Sequence, residues 1–138
     1  MLREIERGEP AFDRFIAALT QADLPTDDLF DEPFRHFEWD ECAWGGFGGG
    51  PDALLRSIVV AAPARGCGHG AAIINALVEA AGNAGVRRLW LLTMNASAFF
   101  EPLGWRIAER SAAPPHIASS RQFTSLCPAS ATLMVRAL

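Results

Sequence analysis

The stretch Ala64-Arg65-Gly66-Cys67-Gly68-His69-Gly70-Ala71 restricts this chain more than any other. It follows an apolar run from Ala53 to Val60 and precedes a segment with apolar residues at helical spacing. Strand, glycine-rich turn and helix in that order make an anion site. Glycines let the backbone approach a ligand closely, and the free N–H groups of the turn and first helical turn point at it. The helix dipole favours negative charge at the same place. A phosphorylated ligand is therefore the first expectation, and the spacing of the letters selects among phosphate motifs.

A P-loop requires a lysine within G-x-x-x-x-G-K-[ST]. All twelve basic residues here are arginine, so the P-loop is excluded. The dinucleotide fingerprint needs G-x-G-x-x-G with an acidic residue about 20 positions on. The spacing here is G-x-G-x-G, and the next strand ends near Thr93 without an acid. A third pattern, R-x-x-G-x-G/A, is met by Arg65, Gly68 and Gly70. It resembles the pyrophosphate loop of the GNAT superfamily of acyl-CoA-dependent N-acyltransferases.

The flanking residues extend the resemblance. Upstream, Ile58-Val59-Val60 is similar to the family's strand whose outward backbone groups pair with the pantetheine arm. Downstream, Ile73, Ile74, Leu77, Val78 and Ala81 share one helical face. Gly82 and Gly85 supply a stop, and Arg87 to Thr93 reads as a buried strand. Asn95-Ala96-Ser97-Ala98-Phe99-Phe100-Glu101-Pro102-Leu103-Gly104-Trp105 then resembles the family's second signature, N-x-x-A followed by an aromatic, a short helix and Gly-Phe/Trp. The resemblance is carried mainly by residues 53 to 110.

Composition narrows the remaining classes. A chain of 138 residues suits one domain spanning residues 1–138. Half its residues are hydrophobic and a fifth charged, which supports a packed core. No apolar run is long enough for a membrane helix, and the N-terminal letters lack the apolar core of a signal peptide. A net charge of −4 without a basic stripe argues against nucleic acid as a partner. Cys42, Cys67 and Cys127 are an odd, dispersed set, which points to reduced thiols in the cytosol. Neither they nor His36, His69 and His116 have metal-ligand spacing, so no metal site is expected.

Along the chain, Leu2 to Glu6 reads as a first strand, and Pro10-Ala11-Phe12-Asp13 starts a helix with Phe12, Phe15, Ile16 and Leu19 on one face. Leu24 to Phe30 reads as a turn with Thr26 as N-cap of a short second helix. Phe34–Trp39 and Cys42–Phe47 form an antiparallel hairpin through Asp40-Glu41. Gly45-Gly46 and Gly48-Gly49-Gly50 permit either close backbone approach or a loop. Pro114-Pro115 opens a polar segment containing a short helix, and the apolar end of Ser125–Val135 forms a last strand. The fold class is α/β with a mixed sheet: a central twisted sheet flanked by helices, as the resemblance to the acyl-CoA N-acyltransferase fold also implies.

The cofactor-binding candidates are Ile58, Val59, Val60, Arg65, Gly66, Cys67, Gly68, His69, Gly70, Ala71, Asn95, Phe99 and Phe100. Arg65 supplies a fixed cation for a CoA phosphate, or is a surface arginine starting a turn. The glycines serve the turn and, through it, the amide nest. Cys67 and His69 are expected to contribute their backbone N–H groups. Asn95 binds the cofactor or caps the helix after it. Phe99 and Phe100 suit the core. Many family members carry a tyrosine at Phe100 that protonates the departing thiolate, and this chain has no tyrosine. Ser97, Cys127 or a water is a substitute, or none is needed for a leaving group of such low pKa.

The acceptor side carries Asp23, Asp27, Asp28, Asp31, Glu32, Glu38, Asp40 and Glu41, with Arg35 the one basic residue among them. An acidic rim suits an amine and a carboxylate base, with Glu38 or Asp40 the candidates; a solvated face is the plainer explanation. Ser125-Leu126-Cys127-Pro128-Ala129-Ser130-Ala131, with Leu24–Leu29 and Leu54–Ser57, resembles small GNAT proteins of arsenic-resistance operons. That resemblance implies an organoarsenical or amino-acid-like toxin as acceptor, with Cys127 touching arsenic or the acetyl group. The expectation is acetyl transfer from acetyl-CoA to a small-molecule amine. A CoA-binding module without catalysis is the alternative, and a dinucleotide-binding fragment is a weaker one. The apolar last strand and a tryptophan-rich surface suggest a homodimer.

Overall fold

In the computed structural model, which describes residues 1–31, 34–121, 123–124 and 130–138, the chain runs β1 (Leu2–Ile5), α1 (Pro10–Gln21), β2 (Arg35–Trp39), β3 (Ala43–Gly48), β4 (Asp52–Val60), α2 (His69–Asn83), β5 (Arg88–Thr93), α3 (Ser97–Phe100), β6 (Arg106–Ala108), α4 (Pro115–Ala118) and β7 (Thr132–Ala137). Proline at the first turn of α1 fits because that N–H has no helical acceptor anyway. Phe12, Phe15 and Leu19 of α1 are buried with Trp44 and Val59 on one face of the sheet. Ile73, Ile74, Leu77 and Ala81 of α2 are buried on the other, against Leu55, Leu89, Leu91 and Met134. Residues alternate between these faces along β5, as a two-sided sheet requires, with Leu89 and Leu91 on the α2 side and Trp90 on the other.

The seven strands lie in the order β1-β2-β3-β4-β5-β7-β6. Every neighbouring pair is antiparallel except β4 and β5, which run parallel with α2 as the crossover. That pairing is brief. It joins Asp52 to Arg88, Ala53 to Leu89 and Leu54 to Trp90, and then stops. Beyond it, Leu55–Val60 and Leu91–Thr93 run on without pairing to each other. The closed end is tied by Asp52, whose carboxylate accepts hydrogen bonds from Arg88 (2.6 and 3.1 Å) and from the Trp90 indole (3.0 Å). Partial burial works against that carboxylate, yet the Arg88 and Trp90 bonds hold its pKa below the usual aspartate value.

The other edge of β4 stays paired to β3, with an irregularity. Trp44 faces Val59 and Gly46 faces Arg56, so Gly45 alone opposes Ser57 and Ile58. This is a bulge in β4, and Ser57 takes a left-handed φ of +59° to make it. A side chain on Gly45 would collide with Ile58, so glycine here serves close backbone approach. At the hairpin between β2 and β3, Trp39 faces Ala43 across a three-residue loop in which Asp40 and Glu41 both have positive φ (48° and 57°) and the Cys42 N–H donates to the Trp39 carbonyl at 3.0 Å.

Three expectations need correction. The second helix capped by Thr26 does not form; residues 27–30 make turns, with the Asp28 carbonyl and carboxylate taken by Arg56 and the Asp27 carbonyl by Arg121. The tryptophan-rich surface does not exist either, because Trp44, Trp90 and Trp105 are buried. Finally, β7 lies inside the sheet between β5 and β6, so it offers no free edge to a second copy. Glu32 and Cys127 lie outside the described residues.

Candidate functional site

Because β4 and β5 part after Leu54 and Trp90, a wedge opens between them. It forms a cavity of about 670 Å³ that reaches both faces of the sheet. On the α2 side it is lined by Gly66, Gly68, His69, Gly70, Ala71, Asn95, Phe99 and Phe100. On the α1 side it is lined by Ala22, Leu24, Pro25 and Arg56. Between them runs the edge of β4 from Leu55 to Val60, whose outward backbone groups have no strand partner on β5.

The glycine turn folds as its letters require. Gly66 and Gly68 have φ of +81° and +84°, which other residues adopt at a cost. Gly68 is the N-cap of α2, and the first helical bond there joins the Ala72 N–H to the Gly68 carbonyl at 3.1 Å. The N–H groups of His69, Gly70 and Ala71 therefore have no helical acceptor, and all three residues line the cavity. Arg65 donates from Nε to the Val60 carbonyl at 3.1 Å. That bond ties its side chain to the end of the β4 edge, and Arg65 is among the residues that line the cavity. An anion-binding cradle results.

The second signature closes the other side. Phe99, which is 43% exposed, lies over Gly70, where an added Cβ would sit 3.4 Å from its ring. Phe100 is buried against Trp105, edge to face, with ring centroids 5.8 Å apart. Asn95 lines the cavity and does not cap α3. The Ala96 N–H is taken instead by the Thr93 hydroxyl at 3.1 Å.

The acid–base candidates are not brought together. Glu38 is buried, but its carboxylate accepts from the Trp44 indole (2.8 Å), from Arg14 (3.1 and 3.2 Å) and from Arg3 (3.5 Å), away from the cavity lining. Asp40 sits in the hairpin turn and pairs with the Met1 amine. Ser97 begins α3 and is outside the lining. The acidic run is largely neutralised: Asp28 pairs with Arg56, Asp31 with Arg121 and Glu38 with Arg14. Among the described residues the ionisable groups lining the wedge are Arg56, Arg65 and His69, with no carboxylate.

Two residues escaped the sequence reading. Arg56 is 3% exposed and donates to the Asp28 carboxylate, to the Asp28 carbonyl (2.9 Å) and, from Nε, to the Ser57 hydroxyl (3.0 Å). Ser57 lines the wedge at the bulge. The signal was there: an Arg-Ser pair interrupts an otherwise apolar strand, and a charge in such a strand needs a buried partner.

The acetyltransferase (GNAT) family model matches residues 19–105. Among solved structures, N-acetylglutamate synthase from Neisseria gonorrhoeae, complexed with coenzyme A and N-acetyl-glutamate, superposes with a TM-score of 0.77 at 14% identity. The match covers 100% of this chain and 35% of that one, so the chain spans about a third of that protein's length. A GNAT-family acetyltransferase from Staphylococcus aureus gives 0.73 at 12% identity, covering 100% and 99% of the two chains. One from Elizabethkingia anophelis with acetyl-CoA bound gives 0.68 at 15% identity, covering 100% and 97%. These likenesses show the fold. No curated protein sequence matches the chain.

Proposed function

The chain belongs to the acetyltransferase (GNAT) family, and from that premise we propose that it moves an acetyl group from acetyl-CoA to the amine of a small molecule. The observation that carries this reading is the wedge between β4 and β5. It has an anion cradle at one side, an unpaired strand edge along its length and an opening to the opposite face.

The residues present fit CoA. The N–H groups of His69, Gly70 and Ala71 and the Arg65 guanidinium suit a pyrophosphate, and Gly66 and Gly68 leave open space where side chains would stand. The β4 edge at Ile58–Val60 offers its backbone to the amides of the pantetheine arm. Phe99 and Phe100 form an apolar wall beside it. When bound, the thioester supplies an acyl group already activated for transfer.

The chain's contribution is then mainly placement. An N–H of the β4 edge donates to the oxygen that gains charge as the amine attacks, and the rigid sheet holds both reactants in line. With no carboxylate in the described lining, the acceptor amine arrives as its free base. The α1 side, with Leu24 and Pro25, receives the acceptor's apolar body. The scattered likeness to arsenic-resistance proteins makes arsenic-containing amino acids members of the acceptor panel.

A second reading rests on Phe100 standing where a tyrosine acid is expected: a CoA-binding module without turnover. Thiol release from acetyl-CoA with a panel of amines, amino acids and organoarsenicals separates the two. Turnover on one class of amine supports transfer. Tight acetyl-CoA binding with no release on any acceptor supports the silent module.

A further inference from the structure

We infer that Ser57 is the proton-donating hydroxyl of this site, held in place by the buried Arg56–Asp28 pair. The inference rests on the acyl-transfer reading and adds a named group to it. Three features converge on Ser57. It lies at the bulge, where β4 has left β5 and its edge is open to the wedge. Its φ of +59° is unfavourable for a residue with a side chain, and such conformations persist where the surroundings enforce them. Its Oγ accepts a hydrogen bond from Arg56 Nε at 3.0 Å, and Arg56 is itself fixed by two bonds to Asp28.

That last bond sets the direction of the hydroxyl. A serine hydroxyl has two acceptor lone pairs and one proton to give. With one lone pair facing a guanidinium, the proton points elsewhere and the wedge is the open side. The adjacent cation also withdraws electron density from Oγ, which makes the O–H a better donor. The cationic neighbour is kept charged and still by Asp28, which is 1% exposed.

The remaining lone pair and the proton suit a relay that balances. As the C–N bond forms and the C–S bond breaks, Ser57 Oγ takes the proton that the acceptor nitrogen loses. Its own proton passes to the leaving sulfur. Ser57 ends as the neutral hydroxyl it began as, and no other reactant is consumed. The relay supplies what a tyrosine at Phe100 would have supplied, from the opposite strand of the wedge.

The test uses CoA itself and the full chain. The ionisation of the bound thiol is followed by thiolate absorbance against pH, in the wild type, Ser57→Ala and Ser57→Gly. A donor to sulfur stabilises the thiolate, so the bound thiol should titrate about one pH unit below its value in free solution. Both variants should return it to the free value with CoA affinity retained. Ser57→Gly guards against misfolding, because glycine accepts the positive φ. With an acceptor from the panel, kcat should fall about 10- to 100-fold in both variants while the KM for acetyl-CoA holds. Superimposable thiol titrations for wild type and Ser57→Gly would overturn the assignment. Failure of the wild type to bind CoA would overturn the acyl-transfer reading, and the assignment with it.

Discussion

Removing the Glu38 carboxylate separates a structural group from a catalytic one. Glu38 is the buried acid of β2, and its partners differ in worth. The bond from the Trp44 indole is buried and charge-assisted at 2.8 Å. Losing it in Glu38→Ala orphans a buried N–H, at about 1–3 kcal/mol. Arg14 and Arg3 are 42% and 52% exposed, so water screens their pairs, each worth about 0.2–1 kcal/mol. Together the loss is about 2–4 kcal/mol, which for a chain of this length lowers Tm on the order of 10 °C. Glu38→Gln keeps an oxygen for Trp44 and should cost roughly 1 kcal/mol. Urea unfolding at constant m-value reads the stabilities, and thiol release reads kcat on the surviving fold. Both variants should keep kcat within about twofold, since Glu38 is outside the wedge. A Glu38→Gln protein of wild-type stability whose kcat falls more than about tenfold would refute this reasoning and make Glu38 the base.

Other outcomes follow from the same geometry. Arg65→Ala should weaken CoA binding by about tenfold in calorimetry, the worth of a charge-assisted bond at an exposed site. Gly68→Ala should cost about 1–2 kcal/mol in urea unfolding although no atom lies within 4 Å of the new methyl, because φ is +84°. Ser57→Gly should raise stability by about 0.5–1 kcal/mol, the relief of its φ less the flexibility of glycine, while lowering turnover. His36 is buried, and desolvation pushes its pKa below the ordinary 6.5. The unfolded chain then binds the proton more readily. Stability is full above about pH 6.5 and should decline as pH falls below it, a slope that His36→Asn should reduce in unfolding titrations. Finally, the rate should rise with pH along the acceptor amine's own ionisation.

The glycine turn was legible because its chemistry is local. Gly66 and Gly68 state a left-handed backbone directly, whereas Gly70 is a helical residue of α2 that makes room for Phe99; Ile73, Ile74, Leu77 and Ala81 state a buried face by their spacing. The hairpin at Asp40-Glu41 was legible for the same reason, although neither residue is glycine. What depends on distant partners was not. Glu38 reads as a free acid until Trp44, Arg14 and Arg3 are seen around it. The acidic run reads as a rim until Asp28 and Asp31 meet arginines far along the chain. Thr26 reads as a cap because nothing local reveals that Arg56 claims the next turn. The tryptophans looked like surface because sequence carries no depth. Ser57 is the sharpest case. Its bulge arises from a mismatch between β3 and β4, and its role depends on a strand pairing that ends three residues earlier, at Leu54.

The central claim is that the wedge between β4 and β5 is a CoA site. Isothermal titration of CoA and of NAD into the chain, side by side with the Arg65→Ala variant, tests it most directly. Saturable CoA binding, weakened in the variant and undisturbed by NAD, is the predicted result. NAD binding as tight as CoA, or no CoA binding at all, would contradict it.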